Sequence, residues 1–286
     1  MIITKLYGGL GNQMFQYAAG RAMSIHNDSD FFLDVSWFEK IKGNTDRKYE
    51  LESFNIMERF ILEKDRRMLK GQLFSLRSKF GFFKKGYIKE KRFNFEPDIL
   101  KLSGNVYLDG YWQSEKYFKN VEEIIRGEFT LKKPLNIKSE KLKEQIEKNN
   151  SISIHIRRGD YVADPKTNQF HGVCSPEYYY KAVKIITEKI NNPVFFIFSD
   201  DIEWARENFK LNYPTVYIDK SFGLKDAEEM ILMSKCKNHI IANSSFSWWG
   251  AWLGLNKNKI VIAPKKWFNN PNVDTSDLIP ESWIVI

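Results

Sequence analysis

The sequence contains few cysteines and no long apolar segment. Only Cys174 and Cys236 occur in its 286 residues, which is too few for a disulfide framework or a zinc site, so a reducing compartment is expected. No apolar run approaches the roughly 18 residues that span a bilayer. Residues 1–7 also lack the apolar core of a signal peptide. These absences predict a cytoplasmic protein.

Motifs for metal and cofactor chemistry are equally scarce. The four histidines have no metal-ligand spacing, and Asp200-Asp201 lacks the middle residue of the Asp-x-Asp motif of metal-dependent transferases. No Ser-His-Asp arrangement, complete dinucleotide fingerprint or Gly-Lys-Ser/Thr phosphate loop is present. The sequence therefore predicts no metal and no other cofactor.

Positive charge is what the chain has in excess. Its formal net charge is +8 and its pI is near 9.2, which favours an anionic partner such as a nucleotide, a nucleic acid, a phospholipid or a charged glycan. Aromatic residues make up 15% of the chain. Sugar sites use such rings as platforms, although ordinary core packing accounts for most of them.

Strands and helices alternate along the second half of the chain, a pattern typical of a parallel sheet with right-handed crossovers. We predict an α/β protein whose length suits two domains. A Lys-, Glu- and Asn-rich stretch at 132–150 places the boundary between residues 1–140 and 150–286. The predicted strands are residues 2–7, 31–35, 106–110, 151–156, 194–198, 215–218, 239–242 and 259–263, and the predicted helices are residues 12 onward, 176–190, 202–209 and 227–235.

The most informative motif is SISIHIRRGDY at residues 151–161. Side chains alternate between the two faces of a strand, so the isoleucines share one face, and Ser153, His155 and Arg157 share the other. An inner parallel strand normally has two apolar faces. A polar face that ends in an arginine therefore favours a site over a solvated strand end. Arg158 falls on the opposite face, so the two arginines should have different roles.

Two other predicted strands also end in polar residues. Asp200 follows one of them, and Ser244 and Ser245 follow another, where a helix is expected to begin. Carboxyl ends of parallel strands meet at one edge of a sheet, so these residues should share a crevice with Arg157. A serine-rich helix N-terminus suits a phosphate. Taken singly, either serine is better explained as a simple N-cap, and Asp200 with its neighbour as a cap for the next helix.

A glycine-rich turn, GGLG at residues 8–11, precedes Asn12 and Gln13 at the start of a predicted helix. Its glycines permit a ligand to approach the backbone closely, which would place both side-chain amides near that ligand. A purely structural turn explains the same residues, and the two interpretations stay open.

Several sequence blocks resemble those of the bacterial α-1,2-fucosyltransferases, glycosyltransferase family 11. They are GGLGNQMFQY at 8–17, GYWQS at 110–114, HIRRGDY at 155–161, ANSSFSWWGAW at 242–252 and VIAP at 261–264. They occur in family order across nearly the whole chain, with residues 40–95 least covered. The resemblance implies a GT-B-type fold of two Rossmann-like domains facing a cleft, an inverting mechanism and GDP-β-L-fucose as donor. Residues 1–140 would lie on the acceptor side, and residues 150–286 would bind GDP-fucose.

The resemblance also implies roles for individual residues. Arg157 would hold the donor pyrophosphate. Glu229 is the best match to an acidic residue that contacts guanine in related enzymes, with Asp200 as the other candidate. The predicted donor-binding set is His155, Arg157, Asp200, Glu229, Asn243, Ser244 and Ser245.

The predicted catalytic residues are Arg157, Asp160 and Asn12. Arg157 would stabilise the charge that develops on the β-phosphate as GDP leaves. Asn12 and Gln13 would face the fucose and the acceptor across the cleft. Asp160 is the only carboxylate inside a donor motif and could act as general base, although a turn-forming aspartate fits the position equally well.

The expected partners are GDP-fucose and a galactoside-containing glycan, either soluble or lipid-linked. The basic, aromatic segment at 63–95 could contact the inner face of the membrane or an acceptor pyrophosphate, and a solvated helical insertion is the alternative. Two rival functions remain: another nucleotide-sugar transferase on the same scaffold, and a basic nucleic-acid-binding protein. The net charge agrees with the latter, but no recognition motif does, so no nucleic acid is expected.

Overall fold

The structure is a computed structural model that describes residues 1–40, 47–66, 86–159, 162 and 164–286. It divides into two compact units. The first comprises Met1–Thr130 and Asp274–Leu278, and the second Leu131–Val273 and Ile279–Ile286. The returning segment Asp274–Leu278 was not predicted. It joins the first unit because Asp277 accepts a hydrogen bond from the Phe95 N–H at 2.9 Å and pairs with Lys116 at 2.7 Å.

The first unit contains a four-stranded parallel sheet in the order β2-β1-β4-β3. Its strands are β1 Ile2–Lys5, β2 Phe31–Asp34, β3 Gly86–Lys89 and β4 Val106–Asp109, and its helices are α1 Leu10–His26, α2 Ser36–Lys40 and α3 Glu122–Glu128. Helix α1 forms where helical spacing predicts it, and Met14, Ala18 and Ala22 are buried as its core-facing residues.

The second unit contains a six-stranded parallel sheet in the order β10-β9-β8-β5-β6-β7. Its strands are β5 Asn150–Ile156, β6 Pro193–Ser199, β7 Thr215–Ile218, β8 Asn238–Ile240, β9 Val261–Ala263 and β10 Ile284–Val285. Its helices are α4 Ile137–Lys148, α5 Pro165–His171, α6 Pro176–Thr187, α7 Ile202–Asn208, α8 Asp226–Ser234 and α9 Ser245–Leu253. Helix α4 lies within the stretch 132–150, at which the domain boundary is predicted.

Strand β5 lies inside this sheet, and both of its faces are covered. Ile152, Ile154 and Ile156 belong to the hydrophobic core, as their alternation predicts. The polar face is buried as well, because Ser153 Oγ lies 2.8 Å from Nδ1 of His239 on the neighbouring strand β8. His155 on the same face is also buried, and its Nδ1 has no hydrogen-bond partner among the described residues. Only beyond Ile156 does this face become accessible.

None of the helices in the described ranges is both long enough and apolar enough to cross a bilayer.

Candidate active site

The register of the second sheet brings Arg157 and Asp200 together. Ile156 of β5 pairs with Ser199 of β6, so the residues that follow these two strands lie side by side. On the other side of β5, Ile154 pairs with Ile240 of β8, which puts the loop before α9 at the same level. The polar ends predicted from the sequence therefore meet at the carboxyl edge of adjacent strands, where α/β sheets bind ligands.

Asp200 orients Arg157. One carboxylate oxygen lies 3.0 Å from Nη1 of Arg157, and the other accepts the backbone N–H of Arg158 at 2.9 Å. Gly159 is needed for this approach, because a Cβ atom at residue 159 would lie 2.6 Å from the Asp200 carboxylate. Both side chains of the pair remain partly exposed, at 19% for Arg157 and 24% for Asp200. A cation held in this way at a sheet edge can receive an anionic ligand.

Arg158 has a separate role, as the strand alternation predicts. Its Nε lies 3.7 Å from a carboxylate oxygen of Asp201, and its guanidinium carbon lies 3.7 Å from the centre of the Trp204 ring. These contacts fix Arg158 against α7, so its charge is stabilised by the protein itself.

His155 is buried and neutral. Burial, together with the nearby charge of Arg157, lowers its pKa to about 3. Its ring lies 5.5 Å from the ring of Phe246 in the first turn of α9. Within the described residues Nδ1 has no hydrogen-bond partner. A neutral imidazole can donate one hydrogen bond and accept another, but it cannot supply positive charge.

The N-terminus of α9 is capped by Ser244, whose Oγ accepts the Phe246 N–H at 3.3 Å. The N-cap interpretation of this serine is therefore confirmed. The cap does not rule out a ligand role, because the hydroxyl can still donate its own proton while it accepts. Ser245 is the first residue of the helix and is half-buried. The Ser244 hydroxyl and the backbone N–H groups of the first turn thus lie at the positive end of the helix dipole.

The Asn243 side chain is used within the protein, whereas the sequence predicts a donor contact. Its Nδ2 donates to the carbonyls of His171, Gly172 and Trp267 at 3.0–3.2 Å. Its Oδ1 lies 3.5 Å from the sulfur of Cys174. The two N–H donors of this amide nitrogen are shared among the three carbonyls. Asn243 therefore ties two chain segments, residues 171–174 and Trp267, to the end of β8 and positions the α9 loop.

Glu229 on α8 belongs to the same electrostatic neighbourhood. Burial raises its pKa to about 8, with further increases from the charges of Asp226 and Asp200 and an opposing effect of Arg157. A carboxyl group coupled to both members of the Arg157–Asp200 pair is a typical feature of a functional site. At neutral pH it is mainly protonated in the free protein.

A cavity of about 430 Å³ opens at the carboxyl ends of β6 and β7. Asp200, Asp201, Ile202, Glu203, Asp219, Lys220 and Ser221 line it. Its volume falls within the range of small-molecule sites, and Asp200 links it directly to Arg157.

In the first unit, Gln13 is fully engaged in internal hydrogen bonds. Its Nε2 donates to the carbonyls of Gly8 and Lys48 at 3.0 and 2.8 Å, and its Oε1 accepts the Glu50 N–H at 3.0 Å. The structural interpretation of the glycine turn thus holds for Gln13, which is 0% exposed. Asn12 differs, because it is only half-buried and accepts a hydrogen bond from Gln113 at 2.7 Å.

Asp160 lies outside the described residues, as does most of the basic segment at 63–95. In the part of the chain that the structure describes, no group of three or more His, Cys, Asp or Glu side chains could hold a metal ion.

Comparison with known proteins identifies the family of this chain. The family model of glycosyl transferase family 11 matches residues 1–286. The chain belongs to glycosyl transferase family 11. An alpha-1,2-colitosyltransferase of Escherichia coli is 38% identical over 300 residues, which cover 100% of this chain and 99% of the relative. Galactoside alpha-(1,2)-fucosyltransferase 1 of Rattus norvegicus is 26% identical over 176 residues, 58% of this chain and 45% of the relative.

A solved structure shares the fold of this family 11 protein. Fucosyltransferase NodZ from Bradyrhizobium superposes with a TM-score of 0.51 at 13% identity, over 87% of this chain and 90% of NodZ. Together with the two parallel sheets, this likeness confirms the predicted α/β fold of GT-B type. The family resemblance found in the sequence blocks is confirmed as well.

Sequence reasoning missed two residues that build the site of this family 11 glycosyltransferase. Gly159 permits the Asp200 carboxylate to approach, and its position directly after two arginines is the only signal that could have revealed it. Trp204 anchors Arg158, but no local pattern distinguishes it from a core residue of α7.

Proposed function

We propose that this protein transfers L-fucose from GDP-β-L-fucose to the 2-hydroxyl of a galactoside in a surface glycan, with inversion to an α-1,2 linkage. The observation that carries the proposal is the Arg157–Asp200 pair, which lies at the level of the α9 N-terminus in a family 11 chain. A diphosphate fits this combination because the guanidinium supplies charge and the helix end supplies N–H donors.

In the proposed reaction, the acceptor oxygen attacks the anomeric carbon of fucose. A bond forms between that oxygen and carbon, the bond from the carbon to the β-phosphate oxygen breaks, and the acceptor hydroxyl loses its proton. Negative charge grows on the leaving GDP, and donors already in place stabilise it most effectively. We assign this role to Arg157, Ser244 and Ser245, with His155 as a neutral neighbour. Asp160 is proposed as the base that takes the proton.

Three further assignments follow from the contacts. Asp200 is proposed to position Arg157 rather than to contact guanine, because both of its oxygens already have partners. Glu229 is therefore the preferred guanine contact. Gln13 and Asn243 are proposed as positioning residues. On the acceptor side, Asn12 remains the proposed catalytic and substrate contact.

A second donor is supported by one relative. The Escherichia coli relative that aligns over the whole chain is an alpha-1,2-colitosyltransferase, and colitose is L-fucose without its 3-hydroxyl. A site that hydrogen-bonds the 3-hydroxyl rejects the deoxy sugar by about 10⁴-fold or more. Transfer of colitose from GDP-colitose is thus the alternative within the same mechanism.

The deciding experiment supplies the purified protein with GDP-fucose or GDP-colitose and a panel of β-galactosides. We expect GDP-fucose to have the larger kcat/KM and the product to be α-1,2-linked by NMR. A larger kcat/KM with GDP-colitose would assign colitose as the transferred sugar. Turnover of neither donor with any galactoside would overturn the proposal.

The transfer is expected to need no divalent ion, because Arg157 can stabilise the leaving diphosphate. Activity measured in excess EDTA should equal that in plain buffer, and added manganese should not increase it. An enzyme that stops in EDTA and recovers with manganese would contradict this expectation.

We also propose peripheral contact with anionic membranes through the basic segment at 63–95. Among its described residues, Lys91 and Arg92 line a cavity of about 480 Å³, and each cation contributes about 1 kcal/mol at an anionic surface.

The protein should float with anionic liposomes at low salt and be released at high salt. A variant with Lys84, Lys85, Lys89 and Lys91 changed to Glu should not float, yet should still modify a soluble acceptor. If the wild type never associates with such vesicles, the membrane role is wrong.

A further inference from the structure

Four aromatic rings form a row across the carboxyl edge of the first sheet. The ring centre of Tyr7 lies 6.1 Å from that of Trp37 and 4.9 Å from that of Tyr111, and Phe93 follows at 6.4 Å from Tyr111. Trp37 comes after β2, Tyr7 after β1, Tyr111 after β4 and Phe93 after β3, so the order of the rings is the order of the strands in the sheet. We call Trp37, Tyr7, Tyr111 and Phe93 the aromatic row.

Charged residues end the strands beneath the aromatic row. Asp34, Lys5, Asp109 and Lys89 lie level with one another in the strand register, with alternating sign. Lys5 Nζ lies 3.0 Å from Asp109 and 5.2 Å from the centre of the Tyr7 ring. The rings therefore rest on a polar layer and are not part of a continuous apolar core. Such a surface combines flat apolar faces with nearby charge, which suits a polyhydroxylated ligand.

The loop that carries Tyr111 is held in a costly conformation. Glu90 accepts the backbone N–H groups of Tyr111 and Trp112 at 2.6 and 3.0 Å. Trp112 is buried with φ of +56°, a conformation that costs an L-residue roughly 1–3 kcal/mol and is enriched at ligand sites. At Gly110 a Cβ atom would lie 2.3 Å from that of Glu90. The hydrogen bonds to Glu90 and the close packing at Gly110 thus hold this strained turn, and the turn fixes the position of Tyr111.

The aromatic row remains accessible. All four rings are only partly buried, and in the described part of the chain the hydroxyls of Tyr7 and Tyr111 have no hydrogen-bond partner. Burial raises the pKa of both phenols, with smaller contributions from neighbours such as Glu90, so both hydroxyls stay protonated as donors. Ring faces with adjacent O–H donors match the alternating C–H and O–H surfaces of a pyranose.

We propose that the aromatic row binds the neutral pyranoside units of the acceptor glycan, with Tyr111 as the central contact and Glu90 as the residue that positions it. The identity of the ligand rests on the proposed galactoside-directed function. The role of the row as a sugar platform rests on the first unit alone.

The test measures acceptor binding separately from transfer. Saturation-transfer NMR with β-galactosides reports binding to the GDP-loaded protein, and initial rates give the KM of each substrate. Tyr111→Ala should weaken acceptor binding and raise the acceptor KM by about tenfold or more, with the KM for the donor unchanged. Tyr111→Phe keeps the ring and should have a smaller effect. Tyr180→Ala is the matched control, because Tyr180 is a 44% exposed tyrosine of the second unit.

Trp37→Ala provides a second, independent variant, and the thermal midpoint and GDP binding verify folding of each protein. Folded Tyr111→Ala and Trp37→Ala proteins with wild-type acceptor binding would overturn the proposal, as would a wild type that binds no galactoside. A wild type that binds galactosides through the aromatic row but transfers no sugar would support the platform and contradict the proposed function. The two failures are thus distinguishable.

Discussion

Arg157→Lys should lower kcat at least about a hundredfold, the loss typical of removing one strong donor to a developing oxyanion. The substitution keeps the positive charge but loses the two-pronged guanidinium. In the structure, one prong of Arg157 lies against Asp200, so a lysine could not keep this contact and also reach two phosphate oxygens. Steady-state rates and GDP affinity should be measured together, because kcat should fall more than nucleotide affinity.

Arg158→Lys is the matched control. Arg158 packs on Trp204 and points to Asp201, so its replacement should affect stability more than turnover. If Arg157→Lys retained most of the wild-type activity, or if Arg158→Lys caused the larger loss, the assignment of the diphosphate site would be wrong.

GDP should bind more weakly as the pH falls below about 8, and binding near pH 7 should release a proton. The Glu229 carboxyl has a pKa of about 8 in the free protein, against an ordinary value of 4.5. Guanine presents two adjacent N–H donors, which bind the carboxylate and not the acid. Binding therefore lowers this pKa, and the affinity should fall by up to about tenfold per pH unit on the acidic side.

Calorimetry in buffers of different ionisation enthalpy measures the released proton. Glu229→Gln should abolish the release and lower the affinity for GDP at pH 8. Glu228→Gln is the control, because glutamine can still accept the Lys225 N–H that Glu228 accepts at 2.8 Å. Comparison of the two variants also cancels the titration of GDP itself. Equal proton release by Glu229→Gln and the wild type would exclude Glu229 as the guanine contact.

The same pKa has a consequence for stability without ligand. A raised carboxyl pKa means that the folded protein holds the proton more tightly than the unfolded chain. The contribution of Glu229 to the free energy of unfolding is therefore complete below about pH 4.5 and declines as the pH rises towards 8. Glu229→Gln should flatten this part of the stability profile.

Local rules predict the parts of the site that depend on strand direction and alternation. Arg157 and Asp200 converge because parallel strands share a carboxyl edge. The same reasoning does not predict whether a side-chain amide binds a ligand or another part of the protein. Gln13 binds a loop near residue 50, and Asn243 binds carbonyls at 171, 172 and 267, contacts that exist only after distant segments have packed.

Short strands, and clusters of residues that are distant in sequence, are not predicted for a related reason. Strand β3 has four residues, and its pairing with β4 defines it more than its own pattern. The aromatic row joins Tyr7 to Tyr111 across about a hundred positions, and only the strand order brings them together. Composition can indicate an excess of aromatic residues, but it cannot show which of their rings lie next to one another in the fold.

The return of residues Asp274–Leu278 to the first unit imposes an order on biosynthesis. The ribosome makes every strand of the first sheet early, yet Asp277, which binds the Phe95 N–H and Lys116, is translated only after β9. The first unit therefore lacks these contacts until the ribosome has made nearly all of the second unit. Chains usually fold domain by domain as they are synthesised. Here the unit that is synthesised first gains its last contacts only when synthesis of the second unit is nearly complete.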